Sequence, residues 1–427
     1  MKSKNRILAA LGCGSAAIQI NAALLFLLAA VGAATAQDVF APRPEFPVAP
    51  PALQQFQTSE LEVFSPAGTP TSEEPASQPF RWGPVNLRPH VFYRFLYVDG
   101  ILAQTNMPVT TVMHEVAPGF LLELGSHWNL DYTPTWRFYS DKNFQDTLDH
   151  SVRLTGGTAY EDWIFGLSQA YVSSSTPLIE TGTQTEQETY STALNASYRM
   201  NSKMSLDLGI GQMFRYTRDF QNSREWSTLD WLNYQFFPRL DVAIGAGFGY
   251  VDVDTGPDMT YEQLQGRINW RATDKISFQI HGGAEDRQFL TNGVSDLINP
   301  VLGVVVQYQP FTVTKISVHA NRVVAVSYFL NQVVESTSVG GSLNQRLFNK
   351  LYLDFGGEYH TDKYVDTANS VFQGRTDDYY SLNVRLSYLF LKHGTFAVLY
   401  QYSDNSSSQS GFAYLSRQVG IELGYRF

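Results

Sequence analysis

FAYLSRQVGIELGYRF, residues Phe412 to Phe427, is the stretch whose reading decides the fold. From Val419 onward the apolar residues occupy every second position, Val419, Ile421, Leu423, Tyr425 and Phe427, with Gly420, Glu422, Gly424 and Arg426 between them. Successive side chains of a strand point to opposite faces, so this segment reads as a strand with one apolar and one polar face.

Working outward, the same division recurs from Leu87 to the end. Leu130, Tyr132, Pro134, Trp136 and Phe138 alternate with Asn129, Asp131, Thr133, Thr135 and Arg137, and Leu206, Leu208 and Ile210 alternate with Asp207, Gly209 and Gly211. Ile276, Phe278 and Ile280 repeat it, as do Leu382, Val384, Leu386, Tyr388 and Phe390. Period two over segments of roughly 10 to 16 residues is the signature of a transmembrane β-barrel strand. Eighteen such segments are expected between Leu87 and Phe427, or sixteen if those carrying Pro118-Gly119 and Gly156-Gly157 do not pair. The fold class is therefore an all-β, up-and-down antiparallel barrel. An even count makes the first and last strands antiparallel neighbours, and closure satisfies every backbone group in lipid.

The connections alternate in kind. Tight turns are expected at Gly125-Ser126, Glu161-Asp162, Asn201-Ser202-Lys203, Pro238-Arg239, Thr273-Asp274, Pro310-Phe311, Asn349-Lys350 and Lys392-His393-Gly394, with longer polar links such as 178–187, 252–258 and 366–376 between them. Short periplasmic turns and long extracellular loops give that pattern. Tyr97, Trp163, Trp231, Phe236, Trp270 and Tyr388 gather near strand ends, as in the aromatic girdles of membrane interfaces.

Ahead of the strands, Lys2, Lys4 and Arg6 precede an apolar run ending LLFLLAAVGA and an Ala34-Thr35-Ala36 site, the layout of a secretory signal peptide over residues 1–36. Its removal takes three basic residues and no acidic one, moving the formal charge from −10 to −13, a balance that argues against nucleic acid as a partner. It also takes Cys13, the only cysteine, so neither a disulfide nor a cysteine-ligated metal is expected. No later run of about 18 apolar residues appears, which excludes helical spans. Residues 37–83, crowded with Pro and rich in Ser, Thr and Glu, read as a disordered periplasmic segment, and residues 84–427 as the barrel.

Arg375-Thr376-Asp377-Asp378-Tyr379, the strand ending at Tyr388, Tyr400-Gln401-Tyr402-Ser403 and the closing Val419 to Phe427 together resemble the β-barrel porin type 2 family, over about the last 80 residues. The resemblance implies a Gram-negative outer-membrane barrel, some members of the family being associated with exopolysaccharide export. Val419, Ile421, Leu423, Tyr425 and Phe427 also resemble the signal by which the barrel-assembly machinery takes up such barrels. That machinery, outer-membrane lipid and lipopolysaccharide, and polysaccharide-export proteins are the partners so implied.

With the apolar faces toward lipid, the charged faces must line the lumen, since Arg or Lys at the bilayer midplane costs about 2 to 4 kcal/mol. The expected lining residues are Arg88, Arg94, Asp131, Arg137, Arg199, Asp207, Arg215, Arg267, Arg271, Glu285, Arg287, Asp354, Glu358, Arg385 and Glu422. Arg exceeds acid among them, which favours anionic or polyhydroxylated solutes; pairing across strands into a structural network is the competing expectation. Glu422 and Arg426 are expected to meet Arg88, His90 or Arg94 where the last strand closes on the first. The expected function is a channel for small hydrophilic or anionic solutes, or one assisting exopolysaccharide export. The alternatives are a structural or adhesion barrel that conducts nothing, and a hydrolase using His281, His319 or His360 with Ser277, Ser317 or Ser338. No motif calls for a cofactor or a metal, and the acidic loop Asp252 to Asp258 lacks the full spacing of a calcium site.

Overall fold

The structure, a computed structural model, describes residues 80–427 apart from 102–108, 292, 368–373, 392, 410 and 427. The expected signal peptide, nearly all of the Pro-rich segment and Phe427 of the expected assembly signal lie outside the described residues. The rest is a single meander. β1 (Phe80–Trp82) leads into β2 (Val85–Asp99), β3 (Thr110–Leu124), β4 (Trp128–Tyr139), β5 (Thr147–Tyr160) and β6 (Trp163–Ser174). A small separate hairpin of β7 (Pro177–Leu178) and β8 (Thr183–Gln184) follows. The meander then resumes with β9 (Gln187–Arg199), β10 (Met204–Thr217), β11 (Ser223–Phe237), β12 (Leu240–Val253), β13 (Met259–Arg271) and β14 (Ile276–Phe289). It ends with β15 (Leu297–Phe311), β16 (Thr314–Val326), β17 (Gln332–Phe348), β18 (Leu351–Asp366), β19 (Thr376–Phe390), β20 (Gly394–Ser407) and β21 (Tyr414–Arg426).

Each long strand pairs antiparallel with its neighbours in the chain, and β21 pairs with β2 from His90↔Arg426 to Asp99↔Arg417. Among the described residues, β2–β6 and β9–β21 thus close an eighteen-stranded barrel. β1 pairs only with the first residues of β2, on the edge that β21 leaves free below His90. The expected strands are all present, within a few residues of their expected ends. One turn is misplaced: Pro310 and Phe311 lie inside β15, and the chain reverses at residues 312–313. The register shifts between Tyr308 and Phe311, and such a bulge accommodates a proline without a broken ladder.

The connections define two rims. Those of one rim, such as 125–127, 161–162 and 238–239, are short; those of the other, such as 140–146, 175–186 and 367–375, are long. The outer wall is apolar and exposed, with Ile244, Leu264, Ile268, Val398, Ile421 and Leu423 typical of it. Trp82, Tyr160, Phe236, Phe237, Trp270 and Phe348 crowd the turn rim outside. Trp231 departs from the girdle expected of it: it points inward at 3% exposure, and its ring lies where a side chain on Gly245 of β12 would stand, 2.6 Å from that Cβ position. Two apolar clusters line the inside of the loop rim. Val251, Val253, Met259, Tyr261, Phe289, Val326 and Val333 form one, and Leu96, Val98, Ile101, Met113 and Leu399 form the other.

Candidate functional site

The lumen is the site, and its charged residues are ordered by register. Arg94 of β2 stands opposite Glu115 of β3 on one side and Glu422 of β21 on the other, and Glu115 stands opposite Arg137 of β4. Cross-strand neighbours lie within side-chain reach, so the charges join. Arg137 Nε meets Glu115 Oε1 at 2.7 Å, Arg94 Nη1 meets Glu115 Oε2 at 3.2 Å, and Arg94 Nη2 meets Glu422 Oε1 at 2.6 Å. At one end Arg137 also pairs with Asp149 of β5. At the other, Arg385 of β19 reaches across β20 to Glu422 Oε2 at 2.7 Å and holds Asp354 of β18 at 3.5 Å. Ala397 of β20 makes that span possible: it lies opposite Glu422 and Ser387, and its methyl group leaves the guanidinium room to pass.

The result is a belt of alternating charge, Asp149, Arg137, Glu115, Arg94, Glu422, Arg385 and Asp354, carried across the closing seam. Glu115 and Arg137 are each 2% exposed, so water hardly screens the pairs between them. A second buried group stands on the wall opposite. Arg287 pairs with Glu285 at 2.8 Å, Glu285 accepts from Gln263 at 2.6 Å, Glu225 accepts from the Tyr261 hydroxyl, and the Arg287 guanidinium sits 4.9 Å from the Tyr261 ring.

Toward the turn rim the inner face changes from buried to exposed. Asn129, Arg153, Arg199, Arg271, Gln279 and Gln307 are inward in phase and open to solvent. Arg267 is fixed there by stacking on Trp231 at 4.4 Å and by donation to Asn233 Oδ1 at 2.6 Å and Asp207 Oδ2 at 3.3 Å. Ser197 and Asn233 each donate to Asp207 at 2.7 Å. These groups border a cleft of about 440 Å³ that also includes Arg199, Gln235, Asp241 and Asn269. Nearby, Arg88 pairs with Glu123 at 3.0 Å. Among the described residues Arg153, Arg199 and Arg271 make no ion pair.

The loop rim is covered from within. Glu180, on the hairpin that β7 and β8 form, accepts from Ser327 Oγ at 2.6 Å and from the Tyr328 backbone N–H at 2.7 Å. Arg215 of β10 donates to the Val326 and Ser327 carbonyls at 3.2 and 2.9 Å, and its guanidinium lies 3.9 Å from the Tyr328 ring. Arg375 pairs with Asp377 and lies 3.6 Å from the Phe412 ring, which in turn packs edge-on against Phe329 at 5.8 Å. Burial pushes the Glu180 carboxyl above its ordinary value, outweighing Ser327, Arg215, the Tyr328 N–H and Arg375, which pull it down.

Each expected lining residue lies in the phase of its strand opposite to the exposed apolar positions. Arg94, Arg137, Arg385, Asp354 and Glu422 come together in the belt, Glu285 and Arg287 on the other wall, and Asp207 and Arg267 at the cleft. Arg88 stays with Glu123, and Arg215 faces the cover. Asp131 stands opposite Arg153, and Glu358 opposite Ser381 and Gly340. Sequence reading missed Glu115 and Asp149, although both fall in the polar phase of their strands and that parity marks them. Glu180 and Arg375 lie in loops, where no period marks them. The serine–histidine pairs do not assemble: His281 packs over Gly303, His319 over Gly340, and His360 stacks on Tyr379 at 4.4 Å. Among the described residues none of these rings is hydrogen-bonded to a serine hydroxyl.

A family model described as "Putative outer membrane beta-barrel porin, MtrB/PioB" matches residues 141–419. No curated protein matches the sequence. Among solved structures, Pseudomonas aeruginosa OccK2 (OpdF) in complex with glucuronate is 9% identical with a TM-score of 0.46, the match covering 80% of this chain and 98% of that one. The outer membrane protein OpdK of the same organism is 10% identical with a TM-score of 0.44, covering 80% and 98%. Acinetobacter baumannii OccAB3 is 9% identical with a TM-score of 0.43, covering 80% and 99%.

Proposed function

The chain belongs to the MtrB/PioB family of outer-membrane β-barrel porins, and on that premise we propose that it is a passive channel for small hydrophilic or anionic solutes. The outer-membrane porin expected from the last strands is thereby shown, with MtrB/PioB as the family whose model matches. The short turns then belong to the periplasmic side and the long loops to the cell exterior. One observation carries the channel reading: the inner face of the periplasmic half is polar and wet, through Asn129, Arg153, Arg199, Arg271, Gln279 and Gln307. A purely structural barrel has no need of exposed charge inside its wall, and water-filled lumens are lined in this way. Assistance to exopolysaccharide export, which the earlier resemblance implied, draws no support from this geometry. Delivery to the outer membrane by signal-peptide cleavage after Ala36 is part of the same proposal, and N-terminal sequencing of the mature protein checks it.

Planar-bilayer recording tests the channel. Purified barrel that migrates as folded protein should give discrete conductance steps, both as the parent and with residues 177–184 replaced by a Gly-Ser linker. Folded protein silent in both forms would leave the non-conducting structural barrel as the correct reading.

A further inference from the structure

The cover over the extracellular rim joins opposite walls. Residues 175–186 leave the wall between β6 and β9, and residues 327–331 leave it between β16 and β17, eight strands away in one direction and ten in the other. Across that distance the two segments meet at Glu180, Ser327 and Tyr328. Arg375 holds the same hairpin from a third position on the ring, donating to the Glu180 carbonyl at 2.9 Å. The Tyr328 hydroxyl donates to Gln187 Oε1 at 2.7 Å at the foot of the hairpin, and the Gln221 N–H donates to the Tyr328 carbonyl at 2.9 Å. Ser327 is 0% and Arg375 1% exposed, so water is excluded at the junction.

Two observations distinguish this cover from a fixed part of the wall. The barrel is complete without it, because β6 and β9 pair directly with each other up to Ser174↔Gln187 at the base of the hairpin. The hairpin itself pairs with no barrel strand: β7 and β8 bond only to each other, and Gly182 with φ of 67° makes their reversal. Its place over the lumen therefore depends on side-chain contacts, chiefly those of Glu180 and of Gln184, which bonds Gln145 and Ser175 on its own side of the ring. Glu180, through Ser327 and Tyr328, and Arg375, through the Glu180 carbonyl, tie it to the far wall.

We propose that residues 175–186 form a gate at the extracellular mouth, shut when Glu180 docks on Ser327, Tyr328 and Arg375, and open when that contact breaks while β6 and β9 stay paired. The gate rests on the channel reading, since it regulates the path that reading assigns. Both hydrogen bonds that the Glu180 carboxyl accepts, from Ser327 and Tyr328, are lost in Glu180→Ala, so its open-to-closed ratio in bilayers should rise about tenfold over the parent. Glu180→Gln retains an acceptor for Ser327 and Tyr328 and should stay near the parent. Equal ratios in parent and Glu180→Ala would overturn the gate.

A second readout does not depend on conductance. Leu178, on the hairpin, is 4% exposed, and the only native cysteine, Cys13, lies within residues 1–36. In purified mature protein carrying Leu178→Cys, the rate of maleimide labelling reports undocking, and adding Glu180→Ala should speed it about tenfold. An unchanged rate overturns the gate. Faster labelling without any conductance step would instead keep the moving cover and reject the channel.

Discussion

Glu422 holds two guanidinium groups at once, Arg94 at 2.6 Å and Arg385 at 2.7 Å, with 4% of its surface exposed. Removing one partner of a buried pair costs about 3 to 5 kcal/mol, because the charges left behind are neither solvated nor neutralised. Glu422→Ala should therefore lower the unfolding free energy of the vesicle-reconstituted barrel by that order, seen as a lower urea midpoint, and an unchanged midpoint would remove the belt from the barrel's stability. Glu180 makes a pH prediction of definite sign. Burial raises its docked carboxyl, so docking is fully supported below the free value of about 4.3 and loses that support as pH rises through the raised value. The groups facing it are Arg215 from β10, Ser327 and Tyr328 from 327–331, Arg375 with Asp377 at the start of β19, and Tyr364 from β18. Arg215 and Arg375 work against the shift, and desolvation outweighs them. Open probability should rise as pH is raised above the ordinary carboxylate range and be flat in Glu180→Gln; a rise on acidification would reverse the assignment.

Strands were legible in the sequence because a wall between lipid and water imposes period two on every crossing, so their phase follows from the alternation, and their number was open only at the two segments carrying Pro118-Gly119 and Gly156-Gly157. Pro310 failed as a turn marker because a bulge absorbs it, and Trp231 failed as a girdle residue because Gly245 opens an inward slot for its ring. Both depend on the neighbouring strand, whose register a single sequence does not state. The belt has the same origin. Glu422 meeting Arg94 was expected from closure, but Arg385 reaching Glu422 over β20 requires the small residue at 397. Ala397→Leu should then destabilise the barrel by about 1 to 3 kcal/mol, as overpacking does, with the seam between β20 and β21 the first to lose amide-exchange protection. Uniform protection in that variant would show that the side chain is accommodated elsewhere.

For the whole molecule, the charge that the sequence presents as a lumen rich in arginine is divided by the structure into two zones. In the belt, three arginines stand against four carboxylates, Asp149, Glu115, Glu422 and Asp354, so its arginines are neutralised where they sit. The cover over the mouth was not legible at all, since loops that fold inward carry no period and their partners lie across the ring. In the periplasmic half a permeating ion meets Arg153, Arg199 and Arg271, which are solvent-exposed and, among the described residues, make no ion pair, although Asp131 stands opposite Arg153 and Asp241 borders the cleft with Arg199. Selectivity should accordingly depend on these and not on the arginines of the belt. In a salt gradient the parent channel should prefer anions, Arg199→Ala and Arg271→Ala should each weaken that preference, and Arg385→Ala should lower stability while leaving the reversal potential nearly unchanged. The preference should shrink toward 1 M salt, where the screening length falls to about 3 Å and wall charges no longer reach the pore axis. Cation preference in the parent, or a reversal potential that moves with Arg385→Ala and not with Arg199→Ala, would place the selective charge in the belt instead.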